Sequence, residues 1–462
     1  MEVEPRTWIE LAETTIFRTL GKPTVANIQA ILILGLYRSY NNQSGKTFLY
    51  LSLAVRMAFS LKLHKDDSNL SFIERESRRR LLWCLYTVDR LCAGGVPEYT
   101  LLPVNAIKVQ LPSPEHNYKL DLPIETPFLQ LEGANKSVLS IPALMLCLLN
   151  IRHRILQYAK HLLNTNSSPE ASLDQFHAFE QELKKLNDFL PEELSFSVRA
   201  FQLRAFSPDR TTFLMYHIYF HHCHCELYRL LNPGYREALP QDIIDATTSS
   251  LVSHAQSKCL EHAVAIGEII ASTQDLVDSG PYVSDAAFFV VLYQASCAIL
   301  YACHRDSPAY NMSADIARPY FCAFIGILRK LLIYFPRYVV FVKDIQNMLR
   351  SIEDPQAPLP IQRASGEVDF RIRQVSSEEN SDDGLHPKNL QCNATNQNVE
   401  SLPGTAQLYG PMDDDGFSGQ ALQSEPLLDS SWPSYVEDGY NDADLDQSVL
   451  WNWAALLGSD LL

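Results

Sequence analysis

The chain has 462 residues, of which 54 are acidic and 38 are basic, so its formal net charge is −16. Apolar residues make up 46% and aromatic residues 10% of the sequence, which is enough to fill a large core and excludes a chain that is disordered throughout. The acidic balance excludes a basic protein that coats nucleic acid. The charge is uneven, because residues 401–462 carry eleven acidic side chains and no Lys or Arg follows Lys388.

The cysteines and the amino terminus bear on the compartment. The ten cysteines are dispersed through apolar segments without the spacing of a disulfide scaffold, and this predicts reduced, mostly buried thiols. The first ten residues, MEVEPRTWIE, lack the basic and apolar regions of a secretory signal. The longest apolar run near the start, residues 30–37, is far shorter than the roughly 18 to 20 residues that cross a membrane. We therefore expect an intracellular protein with no membrane partner.

Helical periodicity with short Pro, Gly and Asn breaks runs from about residue 7 to 350, and no series of alternating strand patterns occurs. The sequence therefore predicts an all-α fold. The predicted helices cover approximately residues 24–40, 46–62, 71–92, 138–163, 171–189, 209–231, 245–272, 284–304, 316–333 and 337–351. Several, including residues 286–301, are apolar nearly all round and must be buried among other helices, so we expect one large helical body.

The clearest helix begins after Ser71. Ser71 and Glu74 form the S-x-x-E capping box, in which a hydroxyl and a carboxylate satisfy backbone N–H groups at the start of a helix. Apolar residues then recur at helical spacing as far as Cys92. Gly94 and Gly95 predict the end of the helix.

The first half of this helix holds the only dense basic run of the chain, Arg75 and Arg78 to Arg80. Such a run suggests phosphate contacts when it is considered alone. However, Glu76 lies four residues before Arg80 in the favourable order for an ion pair, and Glu74 and Asp89 offer further partners. The sequence favours a structural ion-pair network at a helix junction.

The composition changes around residue 351, where polar residues replace the apolar periodicity. We predict a helical domain at residues 1–350, a disordered polar linker at 351–400 and an acidic-aromatic tail at 401–462. Three of the five tryptophans, Trp432, Trp451 and Trp453, lie in this tail. A tail that served only solubility would not require them.

No catalytic signature is complete. Residues 45–47 imitate the end of a phosphate-binding loop, but the glycine required five residues earlier is replaced by Tyr40. Residues 442–453 begin like a calcium loop and lack its glycine and its bidentate glutamate. We expect no enzyme activity and no catalytic residues.

One segment has metal-ligating side chains at helical spacing. His217, His221 and Cys225 follow one another at intervals of four residues and lie on one face of the predicted helix. Against a metal site, no turn closes a tetrahedral arrangement, and the aromatic and leucine neighbours indicate burial between helices. We expect these side chains to be part of the packing and the chain to hold no cofactor.

Two motifs carry a resemblance to a known family. One matches A-x-R-M-A-x-x-L-x-L-H and the other R-R-R-x-x-W followed by D-R, and their residues are Ala54, Arg56, Met57, Ala58, Leu61, His64, Arg78, Arg79, Arg80, Trp83, Asp89 and Arg90. They lie in a region, residues 28–112, that resembles the regulatory middle homology region of fungal binuclear zinc cluster transcription factors. The later segment ending HCELYRLLNP resembles another helix of that region, so the similarity extends over about residues 7–350.

The resemblance implies a nuclear transcriptional regulator whose helical body is gated by a metabolite, a partner or an intramolecular contact. The chain departs from the family at Val96, where the family often has Arg, and Lys62, where it usually has Gly. It also lacks the six-cysteine DNA reader, because no Cys-x-x-Cys pair occurs. Zinc is thus implied only for that absent module. We expect either a truncated gene product or a natural member without the module, with DNA contact only indirect or through the missing module.

The tail is predicted to bind a partner. Acidic residues keep the interleaved aromatic and leucine side chains in water and available, and residues 449–457 have apolar side chains at helical spacing. We predict an amphipathic helix that binds a coactivator or the general transcription machinery. The partner-binding candidates are Trp432, Leu450, Trp451, Trp453, Leu456 and Leu457.

Two alternatives remain open at this point. The terminal segment could instead dock on its own helical body, which would satisfy its apolar face. The chain could also be a coregulator without DNA contact that pairs with a complete, homologous transcription factor. The leading prediction is a pathway-specific activator of fungal metabolic genes, including the class of secondary-metabolite clusters.

Overall fold

A computed structural model describes residues 5–353, with gaps at 42, 132, 134, 205–206, 208–209, 234, 236, 274–285 and 305–311. The predicted tail at 401–462 and nearly all of the predicted linker at 351–400 lie outside the described residues. The described region confirms the all-α prediction. Its β-type pairing consists of one parallel bridge between Lys65 and Lys108.

The described α-helices are numbered here in chain order. They are α1 (Pro5–Thr19), α2 (Val25–Tyr40), α3 (Ser44–Ser60), α4 (Phe72–Ala93), α5 (Glu115–Lys119), α6 (Ile141–Thr165), α7 (Leu173–Phe189), α8 (Val198–Leu203), α9 (Arg210–Tyr228), α10 (Gln241–Ala246), α11 (Ser249–Thr273), α12 (Ala287–Cys303), α13 (Ala314–Leu331) and α14 (Val339–Glu353). The ten predicted helices correspond to α2, α3, α4, α6, α7, α9, α11, α12, α13 and α14, with ends that agree within a few residues. The first helix, α1, with the sequence PRTWIELAETTIFRT, was not predicted, although its apolar periodicity is at least as strong as that of α2 and α3.

The amino-terminal helices pack as a small layer. Ala54 and Ala58 of α3 are fully buried, and α3 packs along α2. The Thr47 hydroxyl crosses between the two helices and donates to the Gly35 carbonyl oxygen at 3.0 Å. Small side chains on α3 therefore permit the close helix approach that the sequence predicts.

The remaining helices form the main body around α6, α9 and α11. Helix α6 packs against α4, α7 and α9, while α11 packs against α9, α12 and α13. Helix α12 is buried over most of its length, with Phe288, Phe289 and Ile299 fully enclosed, which confirms the prediction for residues 286–301. A single cluster of buried apolar side chains extends from Ile16 to Ile352.

The end of α4 is set by two glycines. Gly94 caps the helix with φ 53°, and Gly95 follows with φ 81°. A Cβ at Gly95 would lie 2.4 Å from the Leu156 Cβ and 2.7 Å from the Leu156 carbonyl carbon. Only a residue without a side chain permits α4 to turn this close to α6.

The described cysteines are free and mostly buried, as the sequence predicts. All nine described cysteines are free thiols, and Cys84, Cys147, Cys223, Cys225, Cys259 and Cys297 are buried. Cys322 is exposed. Among the described residues, no helix is both long and apolar enough to cross a membrane.

Candidate functional site

The capping box predicted at the start of α4 is present. The backbone N–H of Glu74 donates to the Ser71 hydroxyl at 3.3 Å, and the backbone N–H of Ser71 donates to the Glu74 carboxylate at 3.0 Å. Glu74 is therefore used by the cap, and the Ser71 hydrogen bonds together with the nearby charge of Arg78 lower its pKa. The cap fixes the first turn of α4, on which the family-motif arginines lie.

A buried carboxylate organises the arginine run. Glu76 is fully buried, and its two oxygens accept from Arg79 at 2.9 Å and from Arg80 at 3.0 Å. The backbone N–H of Ser113 donates to the same carboxylate at 2.9 Å. The predicted Glu76–Arg80 pair is confirmed, and it lies inside a network that joins α4 to the loop before α5.

Arg79 and Arg80 extend this network in opposite directions. Arg79 also contacts Asp66 at 3.3 Å. Arg80 pairs with Glu115 at 2.6 Å, and its guanidinium lies 4.1 Å from the ring centre of Tyr118. Both arginines are buried, so their charges are committed within the body and are unavailable to phosphate.

Arg78 and Trp83 join α4 to neighbouring backbone. The Arg78 guanidinium donates to the Leu61 carbonyl oxygen at 2.8 Å, just beyond the end of α3. The Trp83 indole N–H donates to the Gln110 carbonyl oxygen at 2.8 Å. Each bond satisfies a carbonyl that regular helix or strand pairing does not use.

The D-R pair at the end of α4 holds the loop that follows. The Asp89 carboxylate accepts the backbone N–H groups of Leu101 at 2.9 Å and Leu102 at 3.2 Å. Arg90 pairs with Asp89 at 3.0 Å, donates to the Leu102 carbonyl oxygen, and lies over the Tyr86 ring at 4.4 Å. Burial raises the pKa of Asp89, whereas the two N–H groups and Arg90 oppose that rise. This fully buried carboxylate takes the place of a backbone carbonyl as the acceptor for the two N–H groups of the loop.

The other motif residues lie on α3 and just after it. Met57 is buried beside the fully buried Ala54 and Ala58, whereas Arg56 is exposed. The His64 ring packs on Phe59 with ring centres 4.8 Å apart, and burial lowers its pKa. The motif residues of α3 and α4 therefore meet at one structural junction. The residues that α4 contributes to it are here called the α4 frame: Glu76, Arg78, Arg79, Arg80, Trp83, Asp89 and Arg90.

A second buried ion cluster lies between α6 and α9 and was not predicted. Glu226 is nearly fully buried and contacts Arg152 of α6 at 2.8 Å and Arg229 at 2.6 Å. Burial raises the pKa of Glu226, but Arg229 and Arg152 outweigh that effect and lower it to about 2. Arg229 also pairs with Glu237. The only sequence signal was the presence of charged residues in otherwise apolar helices.

The three candidate metal ligands bond to different partners. The His217 ring donates from Nε2 to the Leu194 carbonyl oxygen at 3.0 Å, and Cys225 contacts the Cys259 carbonyl oxygen at 3.7 Å. Between them, His221 Nδ1 lies 2.9 Å from His262 Nδ1. In the part of the chain that the structure describes, no group of three or more His, Cys, Asp or Glu is arranged to hold a metal.

His221 and His224 of α9 instead form a cluster of histidine rings with His262 of α11. His262, which lies 41 residues from His221, stacks on His224 with ring centres 3.9 Å apart and planes 4° from parallel. Burial lowers the pKa of His221 to about 4 and of His224 to about 3. It also lowers the pKa of His262, with the neighbouring His224 and His221 acting in the same direction. These rings are neutral packing groups at neutral pH.

The predicted partner-binding residues lie outside the described residues. They are Trp432, Leu450, Trp451, Trp453, Leu456 and Leu457. The described body thus contains the structural part of the predicted site, and the binding part remains a prediction from the sequence.

The comparisons with known proteins agree with the motif residues. A family model described as "Fungal specific transcription factor domain" matches residues 11–188. This range contains the α4 frame and the motif residues of α3. No solved structure matches the chain.

Curated relatives extend the similarity beyond this domain. The chain is 22% identical over 399 residues to the Zn(2)-C6 fungal-type transcription factor FTF1c of Fusarium oxysporum f. sp. lycopersici, a match that covers 80% of this chain and 40% of that protein. It is 33% identical over 116 residues to FTF1a of the same organism, covering 23% of this chain and 11% of that protein. It is 32% identical over 90 residues to the Thiamine repressible genes regulatory protein thi1 of Schizosaccharomyces pombe, covering 19% and 12%. The chain therefore spans two fifths or less of each of these relatives.

Proposed function

We propose that the chain, whose residues 11–188 match the fungal specific transcription factor domain, is a pathway-specific transcriptional activator of fungal metabolic genes, including the class of secondary-metabolite clusters. Its place of action is the nucleus. Support for a pathway role comes from the relative thi1, whose name describes a regulator of thiamine-repressible genes.

The observation that carries the proposal of a regulatory function is the match of residues 11–188, which contain the α4 frame, to the fungal specific transcription factor domain. The most prominent charged residues of the frame are turned inward, where Arg79, Arg80 and Arg90 pair with buried carboxylates. Phosphate affinity depends on concentrated and accessible Lys and Arg. The frame is therefore suited to hold a helical body together and poorly suited to bind DNA or a substrate directly.

DNA contact is assigned to a module that is not part of these 462 residues. The sequence has no Cys-x-x-Cys pair for a zinc cluster, and its net charge is −16. Zinc would belong to that module and would not be a cofactor of the described body. In this proposal the chain reaches a promoter by covalent continuity or by pairing with a homologous transcription factor.

The activating element is residues 401–462. Eleven acidic residues and no basic residue surround its aromatic and leucine side chains. In this proposal residues 449–457 fold into an amphipathic helix on a groove of a coactivator or of the general transcription machinery. Because ordering a segment costs entropy, the expected dissociation constant is on the order of micromolar. Salt should weaken binding where the acidic residues meet a basic rim.

The test is a fusion of residues 401–462 to a heterologous DNA-binding domain. We expect reporter activation that falls at least tenfold in the variant W451A/W453A/L456A/L457A. The matched control S448A/N452A changes two polar residues in the same segment and should retain activation. A fusion that fails to activate, or one whose activation survives the first set of substitutions, would refute the activation role of this segment.

A coregulator is the second candidate, and the pairing of Arg79, Arg80 and Arg90 with buried carboxylates, which makes these side chains unavailable to DNA, favours it. In that case the chain pairs with a complete family member and supplies or masks the acidic tail. Co-purification of the tagged chain with a zinc cluster protein, together with a genomic sequence that encodes no cysteine cluster upstream of Met1, would support the coregulator. A cysteine-cluster exon at that place would support the activator.

A further inference from the structure

Two buried thiols meet where α9 packs against α11. Cys225 of α9 and Cys259 of α11 are almost completely shielded from solvent, and both are free thiols. The Cys225 sulfur lies 3.7 Å from the Cys259 carbonyl oxygen, and the two thiols also form a hydrogen bond with each other. The packing of α9 and α11 therefore holds together two sulfur atoms that belong to residues 34 positions apart in the sequence.

The neighbouring cysteine of α9 does not share this arrangement. Cys223 precedes Cys225 by two residues, so the two side chains leave the helix in different directions. The charges that act on Cys223 are those of Arg152 of α6 and of Glu226. Cys223 is as deeply buried as Cys225, and it is therefore a matched thiol on the same helix.

The Cys259 sulfur has polar neighbours. The hydroxyl of Tyr235 lies 3.8 Å from it. The hydrogen bond with Cys225 lowers the pKa of Cys259 against the effect of burial, and Tyr235 and the charge of Arg229 act in the same direction. Burial raises the pKa of Cys297, by contrast, to about 12. Because the thiolate is the reactive form of a cysteine, Cys259 is the member of the pair that reacts first with an electrophile.

We propose that Cys225 and Cys259 are a reversible oxidation site, at which a hydroperoxide converts the two thiols into a disulfide between α9 and α11. Hydrogen peroxide is the member of this class that suits the site, because burial of both sulfurs requires a small and uncharged oxidant. A disulfide needs sulfur atoms about 2.05 Å apart, so its formation shortens a contact that already exists. Disulfides of this kind in intracellular proteins are usually transient and redox-sensing.

The oxidation has two balanced steps. The Cys259 thiolate attacks one oxygen of hydrogen peroxide, the O–O bond breaks, and the leaving hydroxide takes up the thiol proton to become water. Cys259 is then a sulfenic acid. The Cys225 sulfur attacks the sulfur of that acid, the S–O bond breaks, and the hydroxyl group leaves with the Cys225 proton as a second water. The two thiols lose two electrons and two protons in total, and one peroxide is reduced to two waters.

The disulfide would join two central helices of the main body. It would close a loop that contains α10, and a crosslink stabilises a fold mainly by restricting the unfolded chain. We expect peroxide to raise the thermal midpoint of the full chain on the order of 5 °C, and dithiothreitol to reverse the rise. This inference uses contacts of the described body alone, so it does not depend on the proposed activation function.

The bond can be located in the full chain by mass spectrometry of unreduced peptides after peroxide treatment. Trypsin releases Cys225 within residues 211–229 and Cys259 within residues 259–305. We expect these two peptides to be linked, with fragmentation placing the bond at Cys225 and not at Cys223. Oxidation of the exposed Cys322 shows that the peroxide was active. A bond at Cys223, or oxidised Cys322 beside unchanged thiols at Cys225 and Cys259, would overturn the proposal.

Serine variants supply the matched comparison. C225S and C259S should each lower the yield of the linked peptides at least tenfold and abolish the rise in thermal midpoint. C223S and C297S remove equally buried thiols and should retain both effects. Linked peptides that persist in C225S or C259S would contradict the assignment. The parent chain carries the assignment through fragmentation, so a variant that fails to fold does not affect the test.

A mixture of ¹⁵N-labelled and unlabelled full chain, oxidised together, tests whether the bond lies within one chain. We expect the linked peptides to be both labelled or both unlabelled. Linked pairs of one labelled and one unlabelled peptide would indicate a bond between two copies of the chain and would overturn the proposal.

Discussion

The most demanding test of the α4 frame is removal of its central carboxylate by Glu76→Ala. The side chain is fully buried and accepts three bonds, from Arg79 at 2.9 Å, Arg80 at 3.0 Å and the Ser113 N–H at 2.9 Å. Removing one partner of a buried ion pair typically costs about 3–5 kcal/mol, because the remaining charge stays buried without compensation.

Two features of the surroundings of Glu76 change the cost of its removal in opposite directions. Arg79 retains Asp66 at 3.3 Å, and Arg80 retains Glu115 at 2.6 Å, so neither guanidinium loses every acidic partner. The buried Ser113 N–H, by contrast, loses its carboxylate acceptor, which adds a penalty of about 1–3 kcal/mol. We therefore expect E76A to lower the free energy of unfolding by about 3–5 kcal/mol in total.

Urea unfolding followed by circular dichroism at the helical band measures this change. The matched control is E74A, which removes a glutamate two residues earlier on the same helix, where the carboxylate is exposed and serves the cap. The control should have a much smaller effect. E76Q preserves the side-chain volume and one acceptor and should fall between the two. If E76A and E74A shifted the midpoint equally, the assignment of Glu76 as the centre of the frame would be wrong.

Three further predictions concern other parts of the body. The pKa of Glu226 is lowered to about 2 in the folded chain from an ordinary value of 4.5. The contribution of this carboxylate to stability is therefore present above pH 4.5 and is lost as the pH falls toward 2. Urea unfolding midpoints between pH 4.5 and 2 should depend less on pH for E226Q than for the parent chain. Burial lowers the pKa of His224 to about 3 in the folded chain, against an ordinary value of 6.5. The unfolded chain therefore takes up the proton first, and the free energy of unfolding falls below pH 6.5 by up to about 1.4 kcal/mol per pH unit. H224F should remove this part of the pH dependence of stability between pH 6.5 and 4.5, and an unchanged pH dependence would contradict burial of a neutral ring. G95A should lower the thermal midpoint strongly, because its Cβ would meet α6 backbone at a positive φ, whereas G45A in the first turn of α3 meets nothing within 4 Å and should be neutral or stabilising by up to about 1 kcal/mol; similar midpoints for the two variants would be inconsistent with the close contact of α4 and α6.

The helices were predictable because their signals are local. The capping box at Ser71 and Glu74 and the glycines at 94 and 95 define α4 without any distant contact. The Glu76–Arg80 pair was predictable for the same reason, since four residues separate the partners on one helix. Periodicity also identified α12 as a buried helix before its neighbours were known.

The parts of the site that were not predicted from the sequence depend on contacts between distant segments of the chain. The Ser113 N–H reaches Glu76 from 37 residues away, and Glu226 reaches Arg152 across 74 residues. His262 comes from a different helix than His221, so the spacing within α9 suggested ligands that the fold directs to separate partners. A single sequence contains no information on which distant segment will face a given side chain, and these contacts required the tertiary structure.

The α4 frame is a structural part of the chain, whereas the acidic tail is the part that we propose to bind a partner. The frame uses its arginines to connect α3, α4 and the loop before α5, so these guanidinium groups are not available to nucleic acid. Exposed arginines without an ion pair among the described residues lie elsewhere, and they include Arg56 on α3, Arg329 on α13 and Arg350 on α14.

The most direct test of the central claim is reporter activation by the full chain tethered to a promoter through a heterologous DNA-binding domain. We predict activation that falls at least tenfold when Trp451, Trp453, Leu456 and Leu457 are replaced by alanine. Activation that is unchanged by these substitutions, or that is absent with the native tail, would contradict a transcriptional activator that acts through its carboxy-terminal segment.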